Sequence, residues 1–284
     1  MSRVRPLSTW NFSRILFLYL PLAVFLVWAL FPVYWMLITA IKPDAELTAA
    51  RGNPLWVAQP TLKNLTGLFQ ETNFPMWLRN SALVTIITTI LSVVVSSLAA
   101  YSLARLRFRG RWLVSRGVLF SYLVPRTILF IPLFSVLQIL RLTDSLTGLV
   151  VTYLTFMVPF CTWLLVGYFV SVPKEVEECG LIDGCTRAQV LFRITIPMAA
   201  PGIITATLFS FTLSWNEFLY PLVFNTSSLR QVVPVGISDL QYGDVIIWGK
   251  IMAAGVVFSL PLILVYYPIQ RYLVGGMTAG AVKG

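Results

Sequence analysis

Residues 81–104 read Ser81-Ala-Leu-Val-Thr-Ile-Ile-Thr-Thr-Ile-Leu-Ser-Val-Val-Val-Ser-Ser-Leu-Ala-Ala-Tyr-Ser-Leu-Ala104. An apolar run of this length matches the roughly 20 helical residues that cross about 30 Å of hydrocarbon. In hydrocarbon every backbone amide needs a partner inside the chain, so the segment is expected to be a helix. The alternation of a β-barrel strand is absent. Directly after it come Arg105, Arg107, Arg109, Arg111 and Arg116 with no acid among them. Such a block marks the cytoplasmic flank of a span.

Working outward, five further segments have the same character, near 15–41, 117–140, 146–170, 202–224 and 251–270. Pro21, Pro32, Pro125, Pro132, Pro159, Pro221 and Pro261 fall inside the spans. In a bundle they imply kinks that neighbouring helices compensate. Arg3, Arg5 and Arg14 before the first run imitate a signal peptide. The run is nearly twice the usual length and no small-residue cleavage site follows, so it is read as a retained helix. Both basic flanks belong inside, and an even number of spans places both termini in the cytoplasm. Two sizeable loops then lie outside, about 42–80 and 225–250, and one inside, about 171–201. Arg109 is expected inside and Gln231 outside. The fold class is an all-α integral membrane protein, with six transmembrane helices and a cytoplasmic helix–turn–helix loop, forming one domain over 1–284.

Composition agrees. The chain has 284 residues, 57% hydrophobic and 11% charged, against about 45–50% and about 25% in soluble domains. The net charge of +10 sits in short blocks between apolar runs, the pattern of orientation signals near anionic membrane lipid rather than of nucleic-acid binding. With no histidine, His-based acid–base chemistry and His-ligated metals are excluded. Cys161, Cys179 and Cys185 read as small reduced thiols. Asn64-Leu65-Thr66 and Asn225-Thr226-Ser227 match a glycosylation acceptor pattern that arises often by chance.

No phosphate-binding loop, Gly-x-Ser-x-Gly or metal-ligand cluster occurs, so active transport would draw on a partner or an ion gradient. The inner loop is where a partner would grip. It reads Pro173-Lys-Glu-Val-Glu-Glu-Cys-Gly-Leu-Ile-Asp-Gly-Cys-Thr-Arg-Ala-Gln-Val-Leu-Phe-Arg-Ile-Thr-Ile-Pro197. Pro173 suits a helix start, and Glu175, Glu177 and Glu178 favour its positive end. Asp183-Gly184 is a turn signal, and Thr186 can cap a second helix with Val190, Leu191 and Ile194 on one face, until Pro197 intervenes. A hairpin beneath the bundle and an amphipathic hairpin on the membrane surface both fit.

The loop resembles the Glu-Ala-Ala signature of ABC importer permeases, with Glu178, Gly184, Ile194 and Pro197 at the required spacings. Ile196 replaces a Leu, and Cys179 and Gly180 replace the two alanines. The resemblance implies a coupling helix that docks on an ATPase subunit, with Glu178 meeting a basic group, and Cys179, Gly180, Asp183, Gly184, Ile194 and Pro197 shaping the contact. Trp215-Asn-Glu-Phe-Leu-Tyr-Pro-Leu222, the tail Gly276-Met-Thr-Ala-Gly-Ala-Val-Lys-Gly284, and Asn80-Ser81 opening the second helix are similar to the sugar (maltose-type) branch. The tail resembles the second permease of a heteromeric pair. Implied partners are a second homologous permease, a dimer of ABC ATPases that the tail contacts, and an extracytoplasmic solute-binding protein. A sugar is the implied substrate. No cofactor is implied in this chain, since ATP and magnesium belong to the partner ATPase.

Two charges fall within spans, Arg126 and Glu217. A charge at the bilayer centre costs about 2.5–3.5 kcal/mol, so each should face the bundle interior, water or a partner. Glu217 with Trp215, Asn216 and Tyr220 forms a candidate substrate pathway. The alternative makes Asn216 and Glu217 interhelical contacts, and in the maltose-type relatives the second permease is not the main sugar holder. Other readings are an importer for a non-sugar solute, or an ion-driven secondary transporter. The latter would call for more intramembrane acids than Glu217. No catalytic set supports a membrane enzyme.

Overall fold

The computed structural model describes residues 15–49, 52–242 and 245–281. A π-turn at Ile15–Tyr19 leads into α1 (Leu20–Ala40), followed by α2 (Asp44–Thr48), α3 (Lys63–Gln70) and α4 (Phe74–Arg105). Next come α5 (Arg111–Leu123), α6 (Arg126–Ile139), α7 (Leu146–Ser171), α8 (Lys174–Ile182) and α9 (Arg187–Val190). A second π-turn, Leu191–Thr195, runs into α10 (Ile196–Met198), and the chain continues as α11 (Ala200–Trp215), α12 (Leu219–Phe224), α13 (Val233–Ser238) and α14 (Trp248–Ala281). Two-residue strands, Gln241–Tyr242 and Val245–Ile246, pair before α14. Arg3, Arg5 and Arg14, and the side chains of the Gly276–Gly284 tail, lie outside the described residues.

Four stretches cross a bilayer's thickness unbroken: Phe17–Ala40, Phe74–Arg105, Leu146–Ser171 and Trp248–Gln270. Two more are bent pairs, α5 with α6 at 103° and Arg187–Met198 with α11 at 82°. With each pair counted as one span, the described residues hold six.

The details depart from the sequence expectation at three places. The segment near 117–140 breaks at Val124-Pro125, because proline has no N–H to donate and drives the residue before it into extended backbone. Both residues are extended, with ψ of 124°. The segment near 202–224 is interrupted at residues 216–218. The second span begins at Phe74, not at Ser81. Hydropathy misses its first turns, yet there Phe74 and Trp77 are buried. Asn80 and Ser81 do not open the helix; they tie a loop to it. Asn80 Nδ2 donates to the carbonyls of Leu229 and Gln231 at 2.9 Å, and Ser81 Oγ accepts from Val233 N at 2.8 Å.

The chain divides into two compact units, Met1–Glu71 with Tyr242–Val257, and Thr72–Gln241 with Phe258–Gly284. In the first, the chain is exposed from Phe17 to Tyr34, and α1 is buried only at Ile38–Ala40. A helix apolar on all sides suits a lipid environment. The buried Lys42 ammonium donates to the carbonyls of Asn53 and Pro54 (2.8 and 3.0 Å), and Asn64 Nδ2 to those of Ala40 and Lys42 (3.0 and 2.7 Å). Asn64 is therefore a buried cross-tie rather than an open acceptor. The Lys250 ammonium lies 2.7 Å from Glu71 and holds its carboxyl below the ordinary pKa.

In the second unit α4 packs on α7 and α11. Its contact face is a stripe of buried small polar residues, Thr85, Thr88, Thr89, Ser92, Ser96 and Ser97, which lets helix backbones approach closely. Ser92 Oγ meets Ser210 Oγ at 3.3 Å, and Ser96 Oγ donates to the Val158 carbonyl at 3.1 Å. Apolar side chains fill the space around the stripe, Tyr153, Phe156 and Tyr220 in one cluster and Leu165, Phe169 and Leu191 in another.

Candidate functional site

The loop 171–201 folds as a helical hairpin whose local chemistry is complete. Pro173 precedes α8 in extended conformation, with Glu175 and Glu177 in the first turn. Gly184 stands just past the helix with φ +88°. Cys185 N donates to Gly180 O (3.0 Å) and Gly184 N to Leu181 O (3.1 Å), the paired bonds of a left-handed glycine cap. Thr186 and Gln189 form a reciprocal capping box at the start of α9. Pro197 does not end this helix. The chain widens into the π-turn, where Ile196 N bonds Leu191 O, continues through Pro197 to Met198, and bends at Ala199.

Gly180 is buried at the hairpin's inner face, where a Cβ would sit 2.5 Å from Ile194 Cδ1. Its smallness serves packing within the hairpin. Cys179, Asp183 and Gly184 are exposed, as is Pro197. Glu178 is exposed too, beside a groove of about 630 Å³ that also carries Arg107, Lys174 and Arg187. The residue that locks the hairpin is Glu177, one position earlier. Its Oε1 accepts from Arg105 Nε at the end of α4 and from Thr195 Oγ1 in the π-turn, both at 2.9 Å. Arg105 also donates to Val172 O at 2.6 Å, and the two charged side chains are 5% and 7% exposed. This knot joins α4, α8 and the π-turn. Sequence reading missed it, although Arg105 closing an apolar span was a signal, because three nearby acids offered no means of choosing. Missed as well were two apolar side chains presented to solvent, Ile182 at 84% and Phe192 at 59%.

The second constellation gathers around two helix breaks. Trp215 ends α11 buried, its rings stacked with Phe211 and Phe258 and its Nε1 donating to Phe258 O at 3.0 Å. Asn216 donates back to Thr212 O. Glu217 turns its Oε1 to the N–H groups of Leu219 and Tyr220 (3.1 and 3.5 Å), capping α12, and its Oε2 lies 3.8 Å from Arg126. Tyr220 stacks on Phe156 and donates its hydroxyl to Arg126 O at 2.8 Å. Glu217 and Tyr220 thus converge on Arg126, while Trp215 and Asn216 face elsewhere.

Broken apolar helices around a polar centre, with a hairpin appended, mark the chain as a polytopic membrane protein. A sequence profile described as "Binding-protein-dependent transport system inner membrane component" matches residues 92–279. The sulfoquinovosyl glycerol transport system permease protein SmoH of Agrobacterium fabrum is 38% identical over 264 residues, 92% of each chain. The trehalose/maltose transport system permease protein MalG of Thermococcus litoralis is 35% identical over 259 residues, 90% of this chain and 92% of its own. A crystal structure of a bacterial ABC transporter for import of the acidic polysaccharide alginate contains a chain superposing with a TM-score of 0.79 at 22% identity, over 94% of this chain and 99% of that one. The chain belongs to the family of inner-membrane permease components of binding-protein-dependent ABC transporters. It is a multi-pass protein of that membrane.

Proposed function

We propose that this chain is one of two permease subunits through which a sugar or sugar derivative enters the cytoplasm by alternating access. The observation that carries the reading is the α8–α9 hairpin, capped on both sides of its Asp183-Gly184 turn and tied to α4 through the Glu177–Arg105 pair. A lever must be stiff inside and adhesive outside. Here the interior is locked, while Glu178, Ile182 and Phe192 face outward for an ATPase subunit to grip. Cys179, Asp183 and Gly184 lie on the same exposed hairpin, and Ile194 braces it from within.

In this reading the hairpin and both termini are cytoplasmic, a binding protein delivers the solute outside, and a dimer of ATPases holds the ATP and magnesium. ATP hydrolysis belongs to those partners. The sugar class is supported by the transport systems of relatives such as SmoH and MalG. The test is uptake into vesicles carrying this chain, the partner permease, the ATPases and the binding protein. Uptake should require ATP and the binding protein together. Uptake driven by an ion gradient without the ATPases would overturn the assignment.

A further inference from the structure

In the first unit, a cavity of about 430 Å³ lies where α1 ends and α14 begins. Trp35, in the last turns of the span Phe17–Ala40, lines it together with Trp248, the first residue of the span Trp248–Gln270. Tryptophan gathers at the boundary between hydrocarbon and water, so the cavity sits at the level of lipid headgroups. Its volume falls within the roughly 300–1,000 Å³ of ligand pockets.

Among the described residues, two charged side chains line the cavity, Lys42 and Glu46. Lys42 is buried, and its ammonium is held by the carbonyls of Asn53 and Pro54, which line the cavity themselves. An ammonium has three donors, so one remains. No described carboxylate lies within 4.0 Å of it. A buried charge calls for an opposite one, and lysine binds phosphate as a point charge. Glu46 Oε1 accepts from Gln59 N at 2.9 Å and Oε2 from Ala58 N at 3.2 Å. Those bonds fix the carboxylate and leave each oxygen a second lone pair. A phosphate joined to an ammonium by a short linker complements both side chains.

A second feature separates a lipid from a soluble zwitterion. An apolar groove of about 470 Å³ runs along α1, lined by Ala23, Val24, Val27, Trp28 and Phe31. Val24, Trp28, Phe31 and Trp35 follow one another at steps of four, three and four residues, which puts them on one helix face. The rings of Phe31 and Trp35 are 5.9 Å apart between centroids. Groove and cavity therefore meet at Trp35. From Ala23 to Trp35 the helix rises about 18 Å, close to the roughly 15 Å of hydrocarbon in one leaflet. We propose that this chain holds a phospholipid with a phosphoethanolamine headgroup. Its phosphate meets Lys42, its ammonium meets Glu46, and an acyl chain lies in the α1 groove. The site is independent of which solute the importer carries.

The complete importer is equilibrated in mixed micelles of phosphatidylethanolamine, phosphatidylglycerol and phosphatidylcholine, returned to detergent, and its retained lipid counted by native mass spectrometry. Phosphatidylethanolamine should be retained over the other two, and Lys42→Gln should lose one molecule of it per importer. Glu46→Gln should keep a lipid there but lose the preference for phosphatidylethanolamine over phosphatidylglycerol, a change that a merely structural role would not produce. If Lys42→Gln does not assemble, Trp28→Ala, at a groove position 74% exposed, takes its place with the same expected loss. Equal retention of the three lipids overturns the proposal, as does an unchanged count in Lys42→Gln or an unshifted preference in Glu46→Gln. Displacement of the lipid by inorganic phosphate would make this a site for a free anion and overturn it too. An unchanged lipid count with weakened capture of the binding protein would assign the cavity to that partner instead.

Discussion

Glu177 and Glu178 are neighbours on α8, but one helical step of about 100° separates their directions. Glu177 lands between Arg105 and Thr195, and Glu178 lands in solvent. Removing one member of a buried pair strands the other charge, at about 3–5 kcal/mol. Glu177→Ala should therefore lower the thermal unfolding midpoint of the detergent-solubilised protein clearly, and Glu178→Ala should leave it in place. Equal midpoints would mean that the pair contributes nothing. Gly184 poses a different question, since a Cβ there meets no atom within 4 Å and only φ +88° opposes a side chain. Left-handed backbone costs a side-chain-bearing residue about 1–2 kcal/mol. Gly184→Asp adds a charge at the exposed turn as well. It should insert at normal abundance but retain less ATPase on purification, or hydrolyse ATP without matching uptake. Wild-type retention together with wild-type uptake would remove the coupling role from this turn.

At the scale of elements, the hairpin was legible because caps are local. Pro173, Asp183-Gly184 and Thr186 act on backbone groups within a few residues, and each performs its expected part. Pro197 was misread for a physical reason: a helix can pass a proline when a widened turn precedes it, as the π-turn at Leu191–Thr195 does here. The start of α4 was misread because hydropathy counts Asn80 and Ser81 as polar, whereas the fold satisfies them against residues about 150 positions away. Asn80→Ala would strip partners from two loop carbonyls, with an expected loss of about 1–3 kcal/mol. Limited proteolysis should cut more readily between 227 and 232. An unchanged cleavage rate would show that the loop's other ties hold it without Asn80: Trp77 Nε1 donating to Ser228 O, Ser81 accepting from Val233 N, and Asp144 bound by Ser227 N and Arg230.

For the whole molecule, orientation is the property to test, because it decides which partner meets which face. In a background lacking the three native cysteines, Arg109→Cys should be protected from a membrane-impermeant thiol reagent and Ser228→Cys should be modified by it. Both positions are exposed, whereas Gln231, the natural choice from sequence, is buried at 8% exposure and would report burial instead of side. Labelling of 109 with protection of 228 would invert the topology and remove the hairpin from the reach of a cytoplasmic ATPase.

What the sequence determined alone was the solvent of this protein, the position of its apolar segments, and the capped hairpin that resembles a coupling loop. Those properties are sums over neighbouring residues, and a chain carries them before it folds. The tertiary structure decided which glutamate is buried, where spans break, and that Arg126 and Glu217 come within 3.8 Å. Each of those outcomes depends on groups distant in sequence, as with Arg105 and Glu177, 72 positions apart. A charge in an apolar segment announces only that it needs company. Packing of α4, α7 and α11 sets which partner arrives, and whether a cavity remains beside it.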